Sequence, residues 1–336
     1  MKPTIKNILK YLLSFVLAFV LLWFSFREVE WDTFVSELAK CNWGYILFSM
    51  AAGSLAFWIR GLRWRQLLLP FDGSISSITT FNGINIANIS NFVFPRLGEF
   101  VRCGVIVRRS EPVDSSDPLR KKASYDKVLG TVVMERAWEL LVMILLLGVV
   151  IVGGFDRYGP FFVDEIWGPM SQRFGAGIWA MLAGGLLLIA GAIYLIWHQR
   201  ERNGFCQKVW GVFTGVGQGF ASCLKMDRKW LFFAYTLLIW LLYWLMAAGT
   251  IWAVPSIEGL NLIDALFISL IGGLGFAVPV PGGIGAFHYV ISLALLGVYG
   301  IPMETGVIYA TLSHSSQALT QILFGAGSYV YESLQK

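Results

Sequence analysis

Phe94-Pro95-Arg96-Leu97-Gly98-Glu99-Phe100 and Val280-Pro281-Gly282-Gly283-Ile284-Gly285-Ala286-Phe287 decide the fold. Each falls midway through an otherwise apolar region, 75–107 and 263–300, and sets proline and glycine where a continuous helix would run. Proline removes a backbone donor and clashes with the preceding turn. An unpaired backbone group in hydrocarbon costs several kcal/mol, so such a break persists at membrane depth only where it faces protein or a wet cavity. Both regions therefore read as re-entrant or broken helical hairpins turned inward.

The rest of the chain supports a membrane setting. Of 336 residues, 56% are hydrophobic and only 14% charged, against about 25% charged in soluble domains. That excludes a water-soluble protein, and 14 Trp, 12 Tyr and 25 Phe exclude a disordered one. The net charge of +5 does not point to nucleic acid, because the Lys and Arg sit in short loops between apolar runs, where they set orientation. Cys41, Cys103, Cys206 and Cys223 show neither CxxC pairing nor metal-ligand spacing, so no disulfide framework, metal or other cofactor is expected.

A helix needs about 20 apolar residues to cross the hydrocarbon core. That criterion gives six spans, at 8–26, 44–69, 127–152, 177–197, 230–253 and 305–331. The bulky Trp23-Phe24-Ser25-Phe26 offers no cleavage site, so the first span is read as uncleaved. Basic residues then fix the sides. The segment 27–42 is acid-rich, whereas Arg60, Arg63 and Arg65 crowd the end of the second span, and the loop 108–127 carries Arg108, Arg109, Arg120, Lys121, Lys122 and Lys127. Likewise 153–175 is poor in Lys and Arg, 198–229 is rich, and 254–303 has none. The positive-inside rule puts both termini and hairpin 75–107 on the cytoplasmic side, and hairpin 263–300 outside. The expected fold class is an all-α polytopic membrane protein of one integral domain, in the cell inner (cytoplasmic) membrane. Its first repeat is 1–152 and its second 177–331, each reading span, span, broken hairpin, span with inverted topology. Inverted repeats with discontinuous helices are a recurrent transporter architecture, with binding where the broken ends meet near the midplane.

Polarity inside these spans marks the candidate site. Asn82, Asn85, Asn88 and Asn91 recur every third residue before the first break, either as interhelical hydrogen-bond glue or as substrate contacts. Within the six spans the charges well inside are Glu135, Arg136 and Glu139, with Arg136 about 13 Å along its helix from Lys127. Charges at that depth are expensive and point to a site by default. Arg136 and Glu139 are spaced to pair, Glu135 is left for another helix, and Arg96, Glu99 and Arg102 around the break are the evident partners. A purely structural ion network is the alternative. The second hairpin has no such charge; Gly282, Gly283 and Gly285 offer free N–H groups suited to anions or, equally, permit close helix approach. The stretch 204–224 reads as an interfacial segment touching anionic headgroups.

No HExxH, GxSxG or P-loop pattern occurs, and His198, His288 and His314 are not spaced as metal ligands, so no enzyme is expected, although Glu99 or Glu135 would serve a lipid-modifying reaction as a base. The ordered motifs Asn91-Phe92-Val93-Phe94-Pro95-Arg96-Leu97-Gly98-Glu99-Phe100-Val101-Arg102, Glu135-Arg136-Ala137-Trp138-Glu139 and Pro281-Gly282-Gly283-Ile284-Gly285 resemble the lysylphosphatidylglycerol synthase transmembrane-region family over nearly the whole chain. Glu139 stands where that family often has Asp. Founding members add a soluble aminoacyl-transferring domain, whereas this sequence ends at Lys336, so it is expected to be a stand-alone member without synthase activity. The resemblance implies movement of a charged-headgroup lipid between leaflets. The expected substrate is an amphipathic membrane lipid with an anionic, phosphate-bearing or lipid-linked headgroup. It would be received by Arg96, Arg102 and Arg136, oriented by Glu99, Glu135 and Glu139, with Asn88 and Asn91 adjoining. Pro95, Gly98, Pro281, Gly282, Gly283 and Gly285 would form the breaks and gate. An intramembrane lipid-modifying enzyme, or a partner subunit for a membrane-associated glycosyl-, acyl- or aminoacyl-transferase, are the competing readings. The sequence fixes no oligomeric state.

Overall fold

A computed structural model describes residues 5–27, 29–70, 72–110, 123–175, 177–211, 213–214, 228–257 and 259–335. Among them the chain is helical throughout, with no strand. The helices are α1 (Ile5–Phe26), α2 (Trp31–Lys40), α3 (Trp43–Leu68), α4 (Ser77–Val93), α5 (Leu97–Arg109), α6 (Tyr125–Gly153), α7 (Phe155–Pro160), a π-helical turn (Phe161–Trp167), α8 (Gly168–Phe174) and α9 (Gly177–Gln199). They continue as α10 (Lys229–Ala253), α11 (Leu262–Ala277), a 3₁₀ turn (Pro281–Gly283), α12 (Ala286–Tyr299) and α13 (Met303–Leu334).

Among the described residues five stretches are long and apolar enough to cross a membrane: α3, α6, residues 179–199 of α9, α10, and 281–299; residues 13–26 of α1, within the expected first span 8–26, and α11 are shorter apolar helices. The 32-residue α13 is not among them, because Ser313, His314, Ser316, Gln317 and Thr320 interrupt its apolar character. Segments 27–42 and 153–175, read in the sequence only as connections between spans, contain α2 and the α7–π–α8 run. About half of the stretch 204–224, read as interfacial, lies outside the described residues.

Both expected breaks are present. Pro95 and Pro281 each precede a left-handed residue, Arg96 (φ 65°, ψ 5°) and Gly282 (φ 58°, ψ 10°). Arg96 is the one non-glycine residue with positive φ among those described. That conformation costs an ordinary L residue about 1–2 kcal/mol. The first break is sealed by its own sequence, since Asn91 Oδ1 accepts from the Gly98 N–H at 2.8 Å and so satisfies a donor in the first turn of α5. Gly98 lets α5 fold back, because a Cβ there would collide with the Ala87 carbonyl of α4.

The two breaks meet. Arg96 Nη2 donates to the Ala277 carbonyl that ends α11, at 3.0 Å, and a Cβ on Gly282 would lie 2.5 Å from the Phe92 ring. His314 Nε2 contacts the Gly282 carbonyl at 2.9 Å, tying the second break to α13. Around this centre α3 pairs most extensively with α10, and α13 packs on both α4 and α12. In lipid, association of apolar helices rests on close packing by small residues rather than on burial from water. Gly325 fits this, with its Cα seated beside the Asn85 carbonyl of α4.

Candidate functional site

Seven charged side chains from three helices converge: Arg60 and Arg63 of α3, Glu99 and Arg102 of α5, and Glu135, Arg136 and Glu139 of α6. Glu135 is fully buried and lies 2.8 Å from Arg102 Nη1, 3.5 Å from Arg63 Nη2 and 3.9 Å from Arg60 Nη2. Glu139 lies 2.6 Å from Arg63 Nη2, 2.9 Å from Arg136 Nη1 and 3.7 Å from Arg60 Nε. Arg136 Nη2 reaches Glu99 Oε1 at 3.0 Å, so one guanidinium links α6 to α5. Two aromatic rings back the cluster. The Arg102 guanidinium lies 4.7 Å over Trp64, whose Nε1 donates to Thr131 Oγ1 at 3.0 Å, and Arg63 lies 5.9 Å over Phe232.

Helical spacing explains the assembly. Arg60 and Arg63 are one turn apart on α3, as Glu135 and Glu139 are on α6, so each pair shares a face toward the other helix. Arg102 stands one turn after Glu99 on α5, and the break before Leu97 swings both against α6.

Four guanidiniums face three carboxylates, leaving one positive charge in excess. The carboxylates also fail to use all the donors. Buried without a hydrogen-bond partner among the described residues are Arg60 Nε, Arg63 Nε and Nη1, Arg102 Nε and Nη2, and Arg136 Nε, together with the acceptor Glu99 Oε2. Buried polar atoms are ordinarily satisfied, so an array of unmet guanidinium donors calls for an explanation. Arg136 is the most open member, its side chain 37% exposed against 0% for Arg63.

Of the residues expected from the sequence, Glu99, Arg102, Glu135, Arg136 and Glu139 come together. Arg96 does not; its guanidinium is spent on the other hairpin. Asn91 caps the break, Asn82 donates to Glu332 Oε1 at 2.8 Å, Asn85 Nδ2 bonds back to the Phe81 carbonyl, and Asn88 Nδ2 is buried without a partner among the described residues. The reading missed Arg60 and Arg63 as site residues, because arginines near the end of a span look like an orientation signal. Their separation by one helical turn was the available clue.

Three smaller polar centres lie apart. Buried Asp264 accepts from Arg157, Tyr158 and the Asn261 N–H at 2.9, 2.8 and 2.9 Å, closing the capping box of α11. Glu332 holds Arg109 at 2.7 Å and so ties the end of α13 to α5. His288 and His314 pack with ring centroids 5.1 Å apart beside the second break.

Apolar helices long enough to cross a bilayer, two proline-broken hairpins meeting tip to tip and a buried arginine-rich cluster define a multi-pass membrane protein with a polar interior. The chain belongs to the lysylphosphatidylglycerol synthase transmembrane-region family, whose family model matches residues 11–325. It is also similar to a protein named glycosyltransferase AglD from Haloferax volcanii, 22% identical over 300 residues, which is 80% of this chain and 46% of that one. The chain thus spans less than half the length of this curated relative. No solved structure matches it.

Proposed function

We propose that the protein is a flippase-like transporter that moves an amphipathic lipid with a phosphate-bearing headgroup between leaflets without changing it covalently. The observation that carries this reading is the surplus of guanidinium over carboxylate in a buried cluster whose donors are only partly used. Arg102, Arg136, Arg60 and Arg63 receive the anion, while Glu99, Glu135 and Glu139 hold those cations in place while the site is empty of lipid. The meeting hairpins form the barrier between the leaflets. With no nucleotide-binding motif in the sequence, movement is downhill or coupled to an ion gradient.

The six-span inverted repeat is part of the same proposal, and packing supports it. Exchanging α3 with α10, α4 with α11, α5 with α12 and α6 with α13 converts most helix neighbour pairs into others that are also packed, such as α3–α4 into α10–α11, α5–α6 into α12–α13 and α4–α13 into α11–α6, whereas α3–α13 has no counterpart of similar extent between α10 and α6. A further departure is at the edges, where α1 packs on α12 but, among the described residues, α9 makes no comparable contact with α5. Lys and Arg distribution supports cytoplasmic termini in the inner membrane.

A second reading has one observation in its favour, the name of the relative from Haloferax volcanii. In it the chain presents a lipid to a membrane-associated transferase as its partner. The deciding experiment reconstitutes the purified protein in liposomes with labelled lipids and scores leaflet exposure and lipid mass together. Movement of one lipid class at constant mass supports transport; no movement, with co-purification of a transferase, supports the partner role, and a changed mass makes it an enzyme.

A further inference from the structure

Arg102 commits only half of its guanidinium. Nη1 donates to Glu135 Oε2, while Nε and Nη2, which together form the side-on edge of the group, are buried and bonded to nothing among the described residues. The residue is 1% exposed, so this edge is not satisfied by bulk solvent. Its plane is fixed on one side by Trp64, which Thr131 anchors, and its charge is fixed by Glu135. A guanidinium held in this way presents two parallel N–H groups spaced for two oxygens of one phosphate or carboxylate. Arg63 does not offer the same fork: its Nη2 is committed to Glu139 and Glu135, and the unmet Nε and Nη1 lie on different edges of the group.

Resting on the transport reading above, we propose that the Arg102 Nε–Nη2 edge is the seat of the headgroup phosphate, and that the substrate carries it as a singly charged phosphodiester. The charge balance selects the ester. One negative charge neutralises the single excess positive charge of the cluster; a phosphomonoester, with about two charges, would leave a net negative charge in a buried site. Burying a charge without a partner is strongly unfavourable. Entry is by way of Arg136, the most open arginine. Its 3.0 Å bridge to Glu99 joins α5 to α6, and an arriving phosphate competes with Glu99 for it.

The test uses the full chain in lipid nanodiscs, measuring displacement of a fluorescent lipid by phosphatidylglycerol (a phosphodiester) and phosphatidic acid (a phosphomonoester). The wild type, Arg102→Lys and Arg63→Lys are compared, with melting temperature recorded for each. Lysine keeps the charge beside Glu135 but has no fork. The expected result is that phosphatidylglycerol binds about tenfold or more tightly than phosphatidic acid, and that Arg102→Lys loses about tenfold of that affinity and most of the selectivity. Arg63→Lys loses less. Equal binding of phosphomonoester and phosphodiester to the wild type, or undiminished selectivity in Arg102→Lys, overturns the proposal. If Arg102→Lys does not fold, the wild-type comparison alone decides. Leaflet movement in liposomes separates the two claims: selective binding without movement defeats transport but leaves the seat standing, whereas movement with selectivity unaltered in Arg102→Lys defeats the seat but leaves transport.

Discussion

Replacing Glu135 by Gln removes the carboxylate on which three arginines converge. Its Oε2 lies 2.8 Å from Arg102, and its Oε1 lies 3.5 Å from Arg63 and 3.9 Å from Arg60. The shape is kept and one carbonyl oxygen still accepts a hydrogen bond, but the excess positive charge of the cluster doubles. Breaking a buried ion pair from one side costs about 3–5 kcal/mol, since the partner stays buried and uncompensated. The retained acceptor places Glu135→Gln at the lower end, about 3 kcal/mol. Adding Arg102→Gln restores the charge balance, so the double variant should be less destabilised than the sum of the singles, by about 2 kcal/mol of coupling. SDS titration of the unfolding of all four proteins in mixed micelles measures this cycle. A loss below about 1 kcal/mol for Glu135→Gln, or additivity within about 0.5 kcal/mol, would refute the account of the cluster as one electrostatic unit.

Other predictions concern the breaks and the Asp264 centre. Gly98→Ala drives a Cβ into the Ala87 carbonyl and should destabilise by about 2–3 kcal/mol, whereas Gly104→Ala, with nothing within 4 Å of its Cβ, should be neutral or slightly stabilising; the same SDS titration distinguishes them. Arg96→Ala and Arg96→Gly both lose the bond to Ala277, but only Ala keeps the left-handed strain, so Gly should be the more stable by about 1 kcal/mol; equal stabilities would mean the backbone relaxes there. Asp264→Asn weakens the grip on Arg157 and Tyr158 and the cap of α11, costing about 2 kcal/mol. Amide exchange accelerated at the start of α11 more than elsewhere is the expected sign, and uniform exchange the contrary one.

Much of the helical layout was legible because apolar run length and proline-glycine interruption are local signals. The expected 44–69, 127–152 and 230–253 coincide within two residues with α3, α6 and α10, and both breaks fall where proline stands. The pairings of Glu135 and Arg136 with α5, and of Arg136 with Glu139, followed from depth and helical spacing. Arg60 and Arg63 were not placed in the cluster, since the sequence shows how near a charge is to a span end but not how far a long side chain reaches inward across a helix contact. Arg96 was placed there wrongly for a related reason: its position beside the break is local, but the left-handed backbone that turns it toward Ala277 is set by the packing of one hairpin on the other. α2 and the α7–π–α8 run lie in segments read only as connections between spans, because neither is long and apolar enough to cross; short helices form there when neighbours hold them, as Asp264 holds Arg157 and Tyr158.

The central claim is that the charged cluster carries the lipid headgroup rather than merely holding α3, α5 and α6 together. The most direct measurement is the leaflet-movement rate per folded molecule for Arg136→Ala against wild type in the same liposomes, with folded yield taken from the same preparations. Arg136 is the member of the cluster most open to an arriving headgroup and the bridge between α5 and α6. The account predicts that movement is abolished while folded yield falls only modestly; equal losses in rate and yield, or movement that continues at the wild-type rate, would contradict it.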